Sequence, residues 1–593
     1  MTGRIFQNNN LLFRIFPFIQ WLRGYSWQMF RADSLAGLTV AVVLIPQSMA
    51  YAMLAGLPPV YGLYAAAITP IIGGLWGSLR QLATGPIAIM SLLVLTTLAP
   101  LAEPGSRQFI DLALVLSILV GAIYLSVGIA GMGQVMSFIS HSAVKGFTSA
   151  AALIIIAAQI PNLLGLSTER HEFIIFMLIE IGKNLSGFHP ATVLIGVSCF
   201  VFIYFVKKYR PAFPAGLVAL VASTGAVALL KLHEAGVAVA GKSPGGLAGF
   251  YLPSVAPETL SNLIGPAVVI ALVSFAETYS VSKAVASESK QKIDVNQEFV
   301  GQGLANLIGG FFQCYPVSGS FSRTAVNFAA GAKTAISSVV SGLLVIFALL
   351  FLTPLFTYIP KAALAAVVIS AVMTLFHPRE VLSLWRQNKD DGIVAVTVFV
   401  LALAVKPDYA LMIGVAASLI FFMWKTMHPR IVQITKDPEI NVFVNADAAD
   451  KPGCPQILHL RSDNVIFFAN AEYTVAHILE RVDAVRTPLV YVLLDFQAVG
   501  FIDITAIDEL RALKDELAAR DMGLAIFHVH QPVMKTFVSS GFIHEIGETG
   551  IVRQAGLTDR HGEVLAAIFK QIDHGYCHDI CPYVLFYECS IVK

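Results

Sequence analysis

Long apolar runs recur from residue 34 to residue 424, and they constrain the fold more than any other feature of this chain. About twenty apolar residues are enough to cross a bilayer as a helix. We read fourteen such runs, at 35–55, 60–79, 86–99, 109–130, 142–161, 190–206, 212–231, 261–286, 296–313, 319–330, 334–353, 361–376, 391–405 and 409–425. The segment 171–188 carries three charged residues, which favours an interfacial helix over a further span.

The composition changes near residue 430. Residues 1–430 carry a net charge of +10 and residues 431–593 a net charge of −9, in a chain that is 56% hydrophobic and 13% charged. We therefore divide it into a cytoplasmic N-terminal segment (1–34), a transmembrane domain (35–430), an acidic water-exposed domain (440–560) and a tail (561–593). The basic residues are scattered between apolar runs, so a nucleic-acid binder is excluded.

Basic clusters orient the chain in the membrane. They lie at residues 14–31, 207–210, 283–292, 379–389 and 425–436, which all fall on one side if there are fourteen spans. The positive-inside rule makes that side the cytoplasm, so both termini are cytoplasmic. A Pro- and Gly-rich connection at 231–257 separates two sets of seven runs, and an odd number per set predicts an inverted repeat.

Two short runs begin with helix-breaking residues at matching places in the two halves. Gly85 and Pro86 open the third run, and residues 315–320 (YPVSGS) open the tenth. Broken backbone inside a bilayer is tolerated where protein or a polar cavity satisfies it. Each half-helix would direct a positive N-terminus at the midplane, so the sequence predicts an anion site there.

Two charged residues interrupt apolar runs, and such residues need partners inside a membrane. Arg323 lies in the tenth run, and Glu277 interrupts the eighth run well before Lys283. We expect both to face the bundle interior, with Glu277 as the partner of Arg323. A carboxylate that must be neutral to leave such a pair can carry a proton; a structural ion pair is the alternative. Gln47 and Tyr51 share one face of the first run, where they either supply neutral donors or only pack.

Beyond residue 440, short β-rich runs alternate with amphipathic helices, which predicts a small cytoplasmic α/β domain. The predicted strands are 456–460, 465–468, 489–495 and 524–528, and the predicted helices are 472–485, 504–520 and 532–540. The tail cluster of His574, Cys577, His578, Cys581 and Cys589 lacks paired Cys-x-x-Cys spacing. We expect reduced thiols there and no metal site.

The residues of the predicted anion site resemble a known family. Residues 36–65 (AGLTVAVVLIPQSMAYAMLAGLPPVYGLYA), 85–86 (GP) and 320–324 (SFSRT) closely resemble the SulP, or solute carrier 26, anion transporters. The chain from about residue 440 resembles the STAS domain that this family carries. The resemblance implies fourteen spans as seven-plus-seven inverted repeats, with segments one to four and eight to eleven as a core subdomain and the others as a gate subdomain. It also implies an elevator-like movement of core against gate in a homodimer.

The same resemblance implies an anion held between the N-termini of the third and tenth helices. The implied contact residues are Gln47, Tyr51, Gly85, Ile87, Ser320, Phe321, Ser322 and Arg323. Position 87 is often aromatic in the family, whereas here it is Ile87. Glu277 is similar in position to the glutamate of proton-coupled sulfate carriers. Val281 stands where sodium-coupled bicarbonate carriers have a threonine, and loss of that oxygen ligand favours a proton over sodium.

Residues 499–506 in the C-terminal part resemble the loop at which bacterial anti-sigma-factor antagonists are phosphorylated. Thr505 occupies the phosphorylated place, while Ile504 and Ala506 depart from the usual Asp-Ser-Ser-Gly. Asp503 and Thr505 are therefore candidates for a regulatory site. The alternative is that Asp503 only caps the following helix.

We expect a secondary active transporter that imports sulfate, or a similar small oxyanion, with protons, and that needs no cofactor. No catalytic dyad or hydrolase motif indicates an enzyme. The alternatives are a bicarbonate or C4-dicarboxylate carrier driven by sodium or protons, an anion exchanger or channel, and a nucleobase carrier, which would not need a buried arginine. The expected partners are the anion, the lipid bilayer, a second copy of the chain and a cytosolic regulator of the STAS domain. Compact loops favour a bacterial inner membrane.

Overall fold

The computed structural model describes residues 16–22, 24–134, 140–169, 171, 173–210, 213–241, 246–405, 407–437, 442–547, 551–553, 568–581, 583 and 589. The first part of the predicted N-terminal segment (1–15) and parts of the predicted tail, including 561–567, lie outside the described residues. The chain divides into two compact units, Met1–Leu419 and Ile420–Lys593.

Helices build the first unit, and the last of them continues past Leu419. In chain order they are α1 Phe18–Leu22, α2 Trp27–Leu54, α3 Pro59–Trp76, α4 Ala88–Leu98, α5 Arg107–Ile129, α6 His141–Leu164, α7 Ile174–Lys183, α8 Pro190–Tyr209, α9 Ala215–Leu229, α10 Pro257–Ser289, α11 Val295–Phe311, α12 Phe321–Ala329, α13 Ile336–Phe351, α14 Thr353–Phe356, α15 Lys361–Val372, α16 Pro378–Gln387, α17 Lys389–Ala404 and α18 Pro407–Met427. A helix coincides with each of the fourteen predicted runs. Within the described part of the chain, eight helical segments are long and apolar enough to cross a membrane. The count of fourteen spans stays a prediction.

Buried carboxylates tie helix ends together in this unit. Asp33 of α2 is fully buried and accepts hydrogen bonds from Lys333 N at 2.6 Å and Thr334 N at 3.0 Å, just before α13. Glu298 of α11 accepts from Ser78 N at 2.9 Å and Leu79 N at 3.0 Å, just after α3. Each carboxylate satisfies backbone donors that a helix end or turn leaves unpaired, so the two halves of the unit are held together where their helices begin and end.

Two short, buried extended segments pair with each other inside the first unit. Strand β1 (Thr84–Gly85) pairs antiparallel with β2 (Ser318–Gly319), with Thr84 opposite Gly319 and Gly85 opposite Ser318. Asn306 of α11 donates to Val317 O at 3.1 Å and accepts from Val317 N at 2.9 Å. Because α4 and α12 begin just after these strands, the pairing brings their N-termini together. The non-helical backbone is thus satisfied by protein, as a membrane interior requires.

A mixed sheet forms the second unit, with strand order β4-β3-β5-β6-β7-β8. The first three strands are antiparallel, and β5 to β8 are parallel. The strands are β3 Ile431–Asp437, β4 Val442–Asn445, β5 Ile457–Ser462, β6 Tyr491–Asp495, β7 Gly523–Val529 and β8 Ile551–Arg553, and the helices are α19 Ala446–Ala449, α20 Ala471–Ala484, α21 Ile504–Ala519, α22 Gln531–Ser539, α23 Phe542–Ile546 and α24 His574–Asp579.

Side chains alternate across this sheet, as the two-residue period of a strand requires. Val492 and Leu494 of β6 belong to one hydrophobic cluster with residues of α20 and α21. Leu493 belongs to a second cluster with Phe569 and Cys577 of the tail. Both faces of the sheet are therefore covered.

The predicted strand at 465–468 is wrong, because it forms a turn with one isolated bridge between Ile466 and Ile502. Asn470 takes up the backbone groups that a strand would need. Its Oδ1 accepts from Phe467 N at 2.9 Å and its Nδ2 donates to Val465 O at 2.9 Å. Such side-chain hydrogen bonds compete with a sheet ladder.

Candidate anion-binding site

The N-termini of α4 and α12 form the frame of the candidate site. Helix α4 begins after Ile87, whose side chain cannot cap it, so its first backbone N–H groups have no side-chain acceptor there. Helix α12 begins after Ser320, whose Oγ accepts from Arg323 N at 3.4 Å. Helix N-termini favour anions because unsatisfied N–H groups and the helix dipole both present positive charge.

Arg323 places a buried guanidinium against this frame. Its side chain is 1% exposed, and its Nη1 donates to Pro86 O at 2.8 Å and lies 3.5 Å from Gln47 Oε1. Its Nε and Nη2 are buried without a hydrogen-bond partner in the described structure. Buried charged donors without acceptors are strongly destabilising, so this guanidinium fits a site completed by an anion.

Gly85 lies directly against the unpartnered side of Arg323. A Cβ at position 85 would come within 3.2 Å of Arg323 Nη2, and the φ of Gly85 is +154°. Glycine thus leaves space beside the guanidinium and allows a backbone conformation that other residues rarely adopt. The sequence singled out Gly85 as a helix breaker, and the structure shows that it also borders the buried cation.

The expected direct ion pair between Glu277 and Arg323 is wrong. Arg323 Nη1 points to the carbonyl of Pro86, and no described salt bridge joins the two side chains. Glu277 on α10 is partly buried, and its Oε2 has no hydrogen-bond partner among the described residues. Arg323 and Glu277 are nevertheless near enough for their charges to interact without a direct hydrogen bond.

The remaining predicted contact residues differ in burial. Gln47 and Tyr51 are buried on α2 at 7% and 6% exposure, and Ile87 is buried at 5%. Phe321 is 54% exposed, and Ser322 is also exposed. Ser322 and Gln47 line a common cavity. The structure therefore brings Gln47, Gly85, Ser320 and Arg323 together and leaves Phe321 outside that contact set.

Thr278, which the sequence analysis did not select, connects the helix of Glu277 to the anion frame. Its Oγ1 lies 2.9 Å from Ser318 Oγ and accepts from Gly319 N at 3.1 Å. Ser318 Oγ also donates to Ser274 O at 2.9 Å. The position of Thr278 directly after Glu277 is the signal that could have identified it.

The predicted regulatory residues lie at the start of α21 in the second unit. Asp503 is the N-cap: its Oδ1 accepts from Ala506 N at 2.9 Å, and its Oδ2 accepts from Phe468 N at 2.8 Å. Thr505 is exposed. Helix capping explains Asp503 structurally, and no described contact assigns a role to Thr505.

Asp495, at the end of β6, forms a hydrogen-bonded pair with His528 of β7. Asp495 is 2% exposed, and its Oδ1 accepts from His528 Nδ1 at 2.9 Å and Gln497 N at 2.8 Å. Burial raises the pKa of Asp495, but the hydrogen bond and charge of His528 and the Gln497 N–H outweigh it and hold that pKa below its ordinary value. This carboxylate is therefore ionised and satisfied within the domain.

The tail cysteines pack against the sheet. Cys577 is buried, and its Sγ accepts from Gln456 Nε2 at 3.2 Å. Among the described residues, no group of three or more His, Cys, Asp or Glu side chains is arranged to hold a metal ion. Cys577 and Cys589 belong to the hydrophobic cluster on this face of the sheet.

Comparisons with known proteins assign the family. A profile of the sulfate permease family matches residues 30–398, and a STAS domain profile matches residues 446–554. "Sulfate transporter 4.1, chloroplastic" from Arabidopsis thaliana is 34% identical over 558 residues, which cover 90% of this chain and 80% of that protein. "High affinity sulfate transporter 2" from Stylosanthes hamata is 31% identical over 563 residues, covering 91% and 84%.

Solved structures confirm the predicted fold class. The murine solute carrier 26 family member A9 anion transporter, in an inward-facing state, aligns with a TM-score of 0.85 at 22% identity over 95% of this chain and 96% of that one. The transmembrane domain of a cyanobacterial bicarbonate transporter aligns with a TM-score of 0.58 at 21% identity over 67% of this chain and 98% of that one. The chain is a multi-pass membrane transporter, not an enzyme, and it belongs to the sulfate permease family, with a STAS domain after its helical membrane domain.

Proposed function

We propose that this protein is a secondary active transporter that carries sulfate, or a similar small oxyanion, together with protons. The observation that carries the proposal is the guanidinium of Arg323, which is buried beside two helix N-termini and whose Nε and Nη2 have no hydrogen-bond partner among the described residues. A tetrahedral oxyanion presents several acceptors to such donors, and charge-assisted hydrogen bonds to arginine are strong and directional.

The names of the relatives support sulfate as the substrate. The Arabidopsis and Stylosanthes proteins are both named sulfate transporters, and they align along nine-tenths of this chain. One arginine and two helix N-termini also suit bicarbonate, chloride or a dicarboxylate. The choice of sulfate therefore rests on the relatives, whereas the choice of an anion rests on the site.

Glu277 supports proton coupling. Its Oε2 is buried with no hydrogen-bond partner in the part of the chain that the structure describes, and a carboxylate in that position is stabilised by taking up a proton. A sodium ion would need several oxygen ligands. Thr278 Oγ1 is already engaged by Ser318 and Gly319, and Val281 offers no oxygen.

The hydrogen bonds of Thr278 connect the helix that carries Glu277 to the start of the helix that carries Arg323. Any shift of α10 that accompanies protonation of Glu277 would move Ser318 and Gly319, which directly precede the N-cap of α12. We propose that this link transmits protonation to the anion site while the core subdomain moves against the gate subdomain. Alternating access requires such a bistable element.

Several further features belong to this proposal. We propose that both termini are cytoplasmic, since the basic clusters favour that orientation. The protein works as a homodimer, and the STAS domain tunes assembly or rate without selecting the anion. The relatives named above are plant proteins, one of them chloroplastic, so they give no support to the expectation of a bacterial inner membrane.

Radiolabelled sulfate uptake into proteoliposomes tests the proposal, at equal pH and with the outside acidic. Unlabelled bicarbonate, succinate and chloride serve as competitors. We expect acid outside to stimulate uptake, and Glu277→Gln to lose that stimulation while it still exchanges sulfate for sulfate, because a permanently neutral side chain imitates the protonated state. Glu258→Gln is the matched control, since Glu258 is exposed on the same helix α10.

Each contrary outcome points to a specific alternative. Acid-independent uptake that Glu277→Gln leaves unchanged would favour an exchanger or channel. Stimulation of uptake by sodium would indicate that sodium, and not the proton, is the coupling ion. Transport of a competitor but not of sulfate would keep the anion site and change the substrate.

A further inference from the structure

A cavity of about 130 Å³ extends beside the candidate anion site in the first unit. Gln47 of α2 and Ser322 of α12 line it. Lys207 of α8, Ala215 of α9 and Val367 of α15 also line it. The cavity therefore joins residues next to Arg323 to residues of the predicted gate subdomain, and it has room for several water molecules or one small oxyanion.

Lys207 alone carries a charge among the described residues that line this cavity. Its Nζ donates to Ser370 Oγ of α15 at 3.2 Å, which uses one of the three donors of an ammonium group. Lys207 lies two residues before the end of α8, within the basic cluster that the positive-inside rule places at the cytoplasm. Its aliphatic stem can follow the apolar wall while its ammonium faces the polar lining residues.

We propose that Lys207 is a second anion contact, which receives the transported anion between the Arg323 site and the cytoplasmic side. This inference rests on the proposed function. A divalent oxyanion held by one buried arginine is only half neutralised, and release along a cavity with no other cation would be slow. A second, more exposed cation lowers that barrier, because efficient permeation requires sites from which the ion can also leave.

The position of Lys207 also gives it a role in selectivity. Lys207 lies in the predicted gate subdomain and Arg323 in the predicted core subdomain, so the distance between the two cations changes as the subdomains move. An ammonium is a compact point charge that does not demand planar, bidentate geometry. Lys207 therefore favours anions of higher charge without imposing one shape.

Sulfate exchange by proteoliposomes containing the full-length chain tests the proposal. We expect Lys207→Met to raise the half-saturating sulfate concentration about five- to tenfold, the usual effect of losing one charge-assisted contact at a partly exposed site. Lys207→Arg should stay close to the wild type because it keeps the charge. Lys208→Met is the matched control, since Lys208 is the next residue and does not line the cavity.

Ser370→Ala separates anion contact from helix packing. It removes the hydrogen bond between α8 and α15 but leaves the charge of Lys207 in the cavity. The proposal expects Ser370→Ala to transport almost as the wild type does. It is overturned if Ser370→Ala reproduces Lys207→Met, or if Lys207→Met behaves like Lys208→Met.

Thermal stabilisation of the detergent-solubilised protein by sulfate, chloride and bicarbonate gives a readout without turnover. We expect Lys207→Met to need more anion for half-maximal stabilisation, most clearly for sulfate. If the wild type carries chloride or bicarbonate instead of sulfate, the substrate assignment is overturned. The comparison of Lys207→Met with Lys208→Met is then made with the transported anion, and equal behaviour of the two variants overturns the role of Lys207. A wild type that neither carries nor is stabilised by any of the three overturns both proposals.

Discussion

Arg323 in the membrane unit and Asp495 in the C-terminal unit are both buried charges, but the protein treats them in opposite ways. Asp495 receives hydrogen bonds from His528 and Gln497, so its own domain satisfies it. Arg323 keeps Nε and Nη2 without partners among the described residues, and Glu277 keeps Oε2 in the same condition. A buried charge with hydrogen-bond partners stabilises the folded domain. A buried charge without them is destabilising until a ligand or a proton binds to it.

Burial within the membrane unit does not by itself create this condition. Asp33 is as buried as Arg323, yet it accepts hydrogen bonds from Lys333 N, Thr334 N and Thr334 Oγ1. The comparison therefore separates two kinds of buried charge by their partners and not by their depth. It predicts that substituting a buried charge without partners impairs transport, whereas substituting a buried charge with partners lowers stability.

Arg323→Gln should have the largest effect on transport. Loss of the buried cation removes about 2–5 kcal/mol of anion interaction, which corresponds to a fall of about 30-fold or more in uptake at low substrate. Thermal stability should be equal or higher, because the substitution removes an unsatisfied buried charge. Initial uptake rates and melting curves check this, with Arg379→Gln as an exposed control. A large drop in melting temperature would instead place Arg323 with the structural charges.

Gly85→Ala should have the second largest effect. The added Cβ would lie 3.2 Å from Arg323 Nη2 and would shift one of the unpartnered donors. We expect the half-saturating sulfate concentration to rise about tenfold, because displacing a guanidinium donor by a few tenths of an ångström is costly at a preorganised site. Gly105→Ala is the control, because Gly105 also has positive φ but a Cβ there would meet nothing within 4 Å. Equal effects of the two substitutions would point to backbone strain.

Thr278→Val should weaken coupling more than binding. The substitution keeps the shape but leaves Gly319 N and Ser318 Oγ without the Thr278 oxygen. An unsatisfied buried donor costs about 1–3 kcal/mol, so we expect acid-stimulated uptake to fall several-fold. Sulfate exchange at equal pH should fall less. Ser280→Ala on the exposed face of α10 is the control, and a proportional loss of both activities would contradict a coupling role.

The sequence predicted most of the frame of the site, and its errors have physical causes. Charges in apolar runs identified Arg323 and Glu277, because such residues are rare in membranes and need an explanation. Their direct pairing was wrong because the direction of the guanidinium depends on the carbonyl of Pro86, which lies 237 positions away in the chain. No periodicity or spacing contains that information.

Lys207 was missed for a different reason. At the end of an apolar run a lysine is expected from topology alone, so its sequence position could not distinguish a cavity residue from a membrane-interface residue. The turn at 465–468 was missed because the side chain of Asn470 takes up backbone groups that the apolar pattern assigns to a strand. Both cases depend on contacts that only the folded chain creates.

Asp495→Asn should have the smallest effect on transport and a clear effect on the STAS domain. Because the pKa of Asp495 is lowered in the folded domain, its ionised form stabilises the fold above the ordinary aspartate pKa of about 3.9. That contribution is lost as the pH falls through the lowered pKa. At pH 7 we expect hydrogen-exchange protection of β6 and β7 to fall about five- to tenfold in the variant, equivalent to about 1 kcal/mol, with sulfate uptake within about twofold of the wild type. The difference in protection between wild type and variant should shrink as the pH falls through the lowered pKa of Asp495, because below it both side chains are neutral. If Asp495→Asn instead abolished uptake while protection stayed normal, a paired buried charge would be functional, and the division between paired and unpaired charges would not hold.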